Sequence, residues 1–353
     1  MQPGETKVAD QLKRDIDAIR SDLSDVVKKV SFASVRDEAA ELETKIANFP
    51  MRLQKIRERK YAFNKTLEAQ AIEFQTQWNT KRALVQNQIS IQATSLQAQL
   101  RPLESRISAL SLGSTPALVV KTVKNEIESF KNRVDSAEDA IQELFNSLEQ
   151  EFDKSSRQAD LIEKALDHSE SASFGFLPGE AVYMTTKAVW TRDNKEDKED
   201  PEGILFLTDQ RLLFEQRQEI AKKKVLFVTT EREKVQKLQF ETPVVSIDAI
   251  KATKQGVFKN EDWLEFQLPS GAFAREVRLH LDGQDCNLWQ QLINRVKTGD
   301  IASERALAVD QEAVEKARSA PTKCPSCGGA ITKPVLRGQD TIKCDFCGEV
   351  IRI

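Results

Sequence analysis

Histidine is almost missing from this sequence. Two occur in 353 residues, His168 and His280, so general acid–base chemistry built on imidazole has little to draw on. There is no Walker-type glycine loop, and no GxGxxG follows an apolar run. The phosphate cradles that those motifs build are therefore lacking. Nowhere do about 18 apolar residues follow one another, as a bilayer-spanning helix requires. Met1 to Lys7 is polar, without the apolar centre of a secretory signal. A surplus of positive charge is lacking too. The net charge is −3, and segments 1–110, 111–170, 171–300 and 301–353 carry +4, −6, −2 and +1. None has the basic excess that sequence-independent phosphate binding needs. Carboxylates are plentiful, but none forms a recognisable catalytic pair. These absences lead to the expectation of a non-enzymatic, cytoplasmic protein.

Glycine and proline are scarce, at 13 and 11, and few of them precede residue 170. Aromatics make up only 7% and charged residues 30%. That is lean for one large core and suits long solvated helices. Apolar residues then supply the pattern. Ile16, Ile19, Leu23, Val26 and Val30 step by 3, 4, 3, 4, and Val35, Ala39, Leu42, Ile46 and Phe49 by 4, 3, 4, 3. Leu67, Ala71, Phe74 and Trp78 continue the stripe, as do Leu96, Leu100, Leu103, Ile107 and Leu110. Such spacing puts apolar side chains on one helix face. Pro50 should kink or end the first helix, and Pro102 should act in the same way more weakly. Gly113-Ser114-Thr115-Pro116 is the clearest break, with a terminator, caps and a first-turn proline. Val123, Ile127, Phe130, Val134, Ala137, Ile141, Leu144 and Leu148 follow it. The expectation for 5–168 is a coiled-coil-like helical region. Phe49, Phe63, Phe74 and Trp78 are too bulky for a tight two-stranded seam, which favours an antiparallel hairpin or bundle over a parallel dimer. The opposite charges of the first two segments suit helices lying side by side. Self-association or a protein partner would use the exposed stripes.

After a polar linker at Ser169 to Ser173 the period changes to two. Ala181–Trp190, Gly203–Thr208, Arg211–Gln216, Lys224–Thr229, Trp263–Leu268 and Arg275–Leu281 read as strands. Asp193 to Glu202 reads as a charged hairpin loop, while Thr208-Asp209-Gln210 and Pro269-Ser270-Gly271 read as turns. Gln284–Lys297 reads as a closing amphipathic helix bearing Leu288, Trp289, Leu292, Ile293 and Val296. Six or more strands and one such helix suggest a small, partly open barrel with a helical cap. The run Leu177-Pro178-Gly179-Glu180 followed by Gly203 to Phe214 (GILFLTDQRLLF) resembles a GRAM domain of the PH-like superfold, over about residues 174–298. That family shows a Pro-Gly-Glu start, a glycine-led strand and then Thr-x-x-Arg-Leu-x-Phe. Basic loops of PH-like domains can hold phosphoinositide head groups, so the resemblance makes Lys222, Lys223 and Lys224 candidate lipid contacts. A solvated loop explains the same residues, and the acidic run at 193–202 would repel anionic lipid.

Five cysteines occur, and four of them stand in two C-x-x-C pairs. That usage points to a metal site in a reducing compartment rather than to disulfides. Cys324-Pro-Ser-Cys327-Gly is followed, 16 residues on, by Cys344-Asp-Phe-Cys347-Gly. Two intervening residues let one tight turn deliver both sulfurs, and the glycine that follows permits a positive φ. Four thiolates fill a tetrahedral sphere and leave no open position, so one structural Zn2+ is expected on Cys324, Cys327, Cys344 and Cys347. Rubredoxin-like iron is the competing metal. The pattern resembles a zinc ribbon at 321–353, with a hairpin of Ala330–Leu336 against Asp340–Lys343. Residues 301–320 read as a helical linker. Cys286 reads as a small packing residue, His168 as a helix-end residue where positive charge suits the dipole, and His280 as structural.

The fold class expected is thus multidomain α+β: a long helical hairpin or coiled-coil-like region, a PH-like (GRAM) β-barrel capped by a helix, and a zinc ribbon. The function expected is an adaptor or scaffold that binds protein partners. The alternatives are a peripheral membrane tether that binds anionic lipid through the PH-like domain, and a nucleic-acid-associated regulator that uses the ribbon.

Overall fold

The computed structural model describes residues 3–112, 114–191, 197, 199–225, 228–258 and 260–353. The chain divides into two compact units, one of Met1–Met51 with Glu68–Ser156 and the other of Arg52–Leu67 with Arg157–Ile353. No helix among the described residues is long and apolar enough to cross a membrane.

Four helices make up the first half of the chain: α1 Pro3–Lys29, α2 Ala33–Glu58, α3 Leu67–Ser108 and α4 Ala117–Glu170. The stripes read from the sequence form the bundle core, with Ile19, Val26, Leu42, Ile46, Ile127 and Val134 all buried. The bulky aromatics lie inside as well. Phe152 meets Phe49 and Phe74 edge-on, at centroid distances of 5.3 and 5.6 Å, and Trp78 meets Phe145 at 6.2 Å. Ion pairs join the basic early helices to acidic α4. Lys29 lies 2.8 Å from Asp135, and Arg106 pairs with Glu126. Such exposed pairs fix register more than they add stability.

Neither internal proline ends its helix, so of the kink or end expected at Pro50 the end does not occur. Pro50 lies inside α2 and Pro102 inside α3. Both rings are on the solvent side, where water can take up the carbonyl that the missing N–H leaves unpaired. Buried Phe49 and Leu53, and Leu100 and Leu103, anchor the turns around them. The chain breaks elsewhere. Buried Phe32 takes a left-handed φ of 52° between α1 and α2, and residues 59–66 turn between α2 and α3. Gly113, expected to terminate a helix, lies outside the described residues.

The second unit holds a seven-stranded antiparallel sheet: β1 Val182–Thr191, β2 Glu202–Thr208, β3 Arg211–Val225, β4 Val228–Pro243, β5 Ala249–Gln255, β6 Glu261–Gln267 and β7 Glu276–Asp282. Their order is β4-β3-β2-β1-β7-β6-β5. Helix α5, Cys286–Thr298, closes the domain with Trp289, Leu292, Ile293 and Val296 buried. Asp285 caps its N-terminus by accepting from Asn287 N and Leu288 N, and Gly299 ends it at a φ of 82°. The strand expected at Lys224–Thr229 is not one strand. Val225 ends β3 and pairs with Val228, which begins β4. Leu226 and Phe227 lie outside the described residues, as does most of the 193–202 loop.

The α2–α3 turn belongs to this unit. Tyr61, Ala62 and Phe63 are buried there. Ala306 N donates to Ala62 O at 2.7 Å, and Lys65 N donates to Glu304 O at 3.1 Å. The Phe63 ring stands 5.1 Å from that of Tyr183, edge-on. The Arg57 guanidinium gathers the turn by donating to the carbonyls of Tyr61, Phe63 and Asn64.

Beyond α5 the helix expected over 301–320 is shorter. Only α6, Gln311–Arg318, is α-helical, and Asp310 caps it. Residues before it make the backbone bonds to the α2–α3 turn instead. The tail ends in a two-stranded sheet of β8 Thr341–Lys343 and β9 Val350–Arg352. The hairpin expected between Ala330–Leu336 and Asp340–Lys343 does not form. Pro334 offers no N–H to a ladder, and Arg337 spends its N–H on Phe176 O at 2.7 Å.

Candidate metal centre

Two turns of matching geometry bring the four cysteines together. In the first, Gly328 N donates to Cys324 O at 2.8 Å and Cys324 N to Gly329 O at 2.8 Å. In the second, Gly348 N donates to Cys344 O at 3.0 Å and Cys344 N to Glu349 O at 2.8 Å. Gly328 and Gly348 have φ of +72° and +78°, values costly for any residue with a Cβ. β8 and β9 flank the second turn and pair with each other, and Ile351 lies beside Cys324 and Cys344.

The four sulfurs lie within 4.8 Å of one another. Cys324 Sγ is 3.6 Å from Cys347 Sγ, and Cys327 Sγ is 3.7 Å from Cys344 Sγ. A disulfide is about 2.05 Å long, so these are not bonded pairs. A tetrahedral cation with bonds of about 2.3 Å to sulfur would space its ligands about 3.8 Å apart. The cluster is thus compatible with a metal site. The N–H groups of Cys347 and Phe346 pull the Cys344 thiol down to about 7. At Cys347 the Glu349 N–H acts downward, but the neighbouring Cys327 and Cys324 sulfurs outweigh it and push that thiol up to about 12. Without a cation the cluster favours one thiolate over several.

A second constellation explains the motif that carries the family resemblance. Glu180 and Arg211 form a bidentate pair, Nε to Oε1 at 3.0 Å and Nη2 to Oε2 at 2.6 Å. Their side chains are 0% and 8% exposed. Thr208 Oγ1 donates to Glu180 Oε1 at 2.7 Å and accepts from Arg211 N at 2.7 Å. Leu177 N donates to Glu180 Oε2 at 2.6 Å, and Arg211 Nη2 donates to Gly175 O at 3.0 Å. Glu241 supplies a further carboxylate. Every polar atom of this clamp faces another, so it fastens the 175–180 segment to the β2–β3 turn and offers nothing to a ligand. The sequence named these residues but not their pairing.

The other residues singled out from the sequence lie apart from the cysteines. Lys222, Lys223 and Lys224 fall in β3, where the side chains lie outside the described residues. His168, in the last turn of α4, shares a 2.8 Å hydrogen bond with Thr185 Oγ1. Burial, reinforced by the nearby Arg217 charge, lowers its pKa, so the neutral ring is favoured rather than the cation expected at a helix end. His280 stacks on Trp263 at 4.9 Å. Cys286 is buried at the start of α5, and its N–H donates to Asp262. Asp262 and Asp285 come close to it, but Lys254 Nζ already bridges both carboxylates, at 2.6 and 2.9 Å.

No family model matches the chain, and no curated protein matches it. Solved structures with PH domains do. The Vps36 N-terminal PH domain matches at 14% identity, over 35% of this chain and 83% of its own, with a TM-score of 0.24. A pleckstrin-homology protein of the DUF1696 family from Shewanella loihica matches at 13%, over 39% and 92%, with a TM-score of 0.22. The DH/PH domains of PDZ-RhoGEF, solved with activated RhoA, match at 9%, over 83% and 92%, with a TM-score of 0.24.

Proposed function

We propose that this chain is a metal-stabilised, non-enzymatic adaptor that binds protein partners. Cys324, Cys327, Cys344 and Cys347 would hold one Zn2+, which would act as a cross-link that folds a tail too small to fold alone. The helical region, the β domain of GRAM or PH-like type and the ribbon would each offer a contact surface. Joining them on one chain raises the effective concentration of each at a shared target.

The observation that carries this reading is the tip of the β5–β6 hairpin. Val257 and Phe258 stand side by side there, 93% and 87% exposed. Paired apolar side chains held out in water are expensive to keep unless something covers them. The polar constellations of the unit, by contrast, are turned inward. The test is chemical cross-linking from a photoreactive residue at 258, in cells that express the full chain. A discrete protein adduct that vanishes with Val257→Ser supports the adaptor. Adducts with lipid alone refute it.

Lipid recognition is the second reading, through Lys222, Lys223 and Lys224. Strand register puts them at the opposite end of the sheet from Val257 and Phe258. A flat bilayer would take one end or the other. Flotation with phosphoinositide-containing vesicles, lost on changing the three lysines to glutamate and kept in Phe258→Ser, would favour the tether over the adaptor.

A further inference from the structure

The tail covers one face of the β domain, and it does so where glycines leave room. A Cβ on Gly175 would lie 2.6 Å from Leu336 Cδ1, and one on Gly179 would lie 2.7 Å from Val314 Cγ2. Arg337 N donates to Phe176 O at 2.7 Å, and its guanidinium stands 5.4 Å from the Phe176 ring centroid. Val335, Val309 and Val314 join Leu177 and Pro178 around a groove of about 450 Å³. The covered segment is the one fastened by Arg211 through Gly175 O.

Residues 331–340, which make this contact, have no regular structure of their own. One isolated bridge, Lys323 to Ala330, precedes them and β8 follows. Their course is set by the two cysteine turns at their ends. The apolar cluster behind those turns is Cys324, Cys344 and Ile351 with Ile331, and Ile342 is buried beside them, far less than an independent fold requires. Whatever joins the four sulfurs therefore also holds Leu336 and Arg337 in their seat.

We propose that the ribbon is a metal-dependent latch. With a cation on the four cysteines, the tail stays seated on Gly175 and Phe176 and covers that face. When the cation is lost, the 331–340 segment swings free. Gly175 and Phe176 then lose Leu336 and Arg337 as their cover. The inference rests on the reading of the cysteines as a metal site.

Hydrogen exchange read by mass spectrometry tests it on the full chain, with zinc content measured on the same samples. One sample is zinc-loaded and one is stripped with a chelator. The third is a zinc-loaded Leu336→Asp, Arg337→Glu variant. The amides of Arg337, Gly175 and Phe176 report the seat, because those of Ser173, Leu177 and Glu180 are held within the β domain. Stripping is expected to speed their exchange by about tenfold or more, reversibly on adding zinc. The variant is expected to keep one zinc and show the same acceleration. One bound zinc whose removal leaves these amides unchanged overturns the latch and spares the metal reading. A chain that takes up no zinc overturns both. A variant as protected as the wild type overturns the seat itself.

Discussion

At the scale of single residues, the Glu180–Arg211 pair decides most. Both groups are buried, and each is tolerable only because the other is there. Arg211→Ala is expected to lower stability by about 3–5 kcal/mol, read as a fall in the urea midpoint of the full chain. Arg211→Lys should recover little, because an ammonium cannot make the two parallel bonds of the guanidinium. His168 gives a pH signature. Its folded pKa lies below the ordinary value of 6.5, so the unfolded chain binds the proton more readily. Its contribution is intact above about 6.5 and is lost as pH falls from there through the folded pKa. His168→Gln should therefore flatten the acid side of a stability–pH curve below about pH 6.5. The four cysteines were legible because their spacing is local. The clamp was not, since its partners stand 31 residues apart and nothing in a linear motif says which charges meet.

Among the elements, the helices were read from their stripes and misjudged at their ends. Proline removes one hydrogen bond whatever its surroundings, but only packing decides whether the helix survives. Pro50→Ala should restore that bond without disturbing the buried face, and so raise the thermal midpoint. Phe152→Ala should do the opposite. It empties the space between Phe49 and Phe74, at a cost of about 3–5 kcal/mol, again read from chemical unfolding. The stretches missed, most of β4 and all of β5, belong to the sheet edges. Edge strands carry charge along much of their length to deter pairing with other chains, as in EREKVQK of β4 and AIKATKQ of β5. That breaks up the apolar runs by which inner strands such as β2, buried from Gly203 to Thr208, announce themselves.

At the scale of the whole molecule, periodicity reports local neighbours and is silent on which distant segments close into one unit. The second unit draws in Arg52–Leu67 across the length of α3 and α4. Deleting residues 300–353 should thus harm more than the tail. It strips the backbone partners from Ala62 and Lys65, and it should lower the thermal midpoint of what remains, as calorimetry of the two chains would measure. The same turn has a consequence in time. Tyr61 and Phe63 are synthesised about 240 residues before their last cover near Ala306. At about 5–20 residues per second that is a wait of roughly 12–50 s. For that interval two large aromatic side chains lack their final neighbours on a translating ribosome, and a chaperone that holds nascent chains has a defined place to bind.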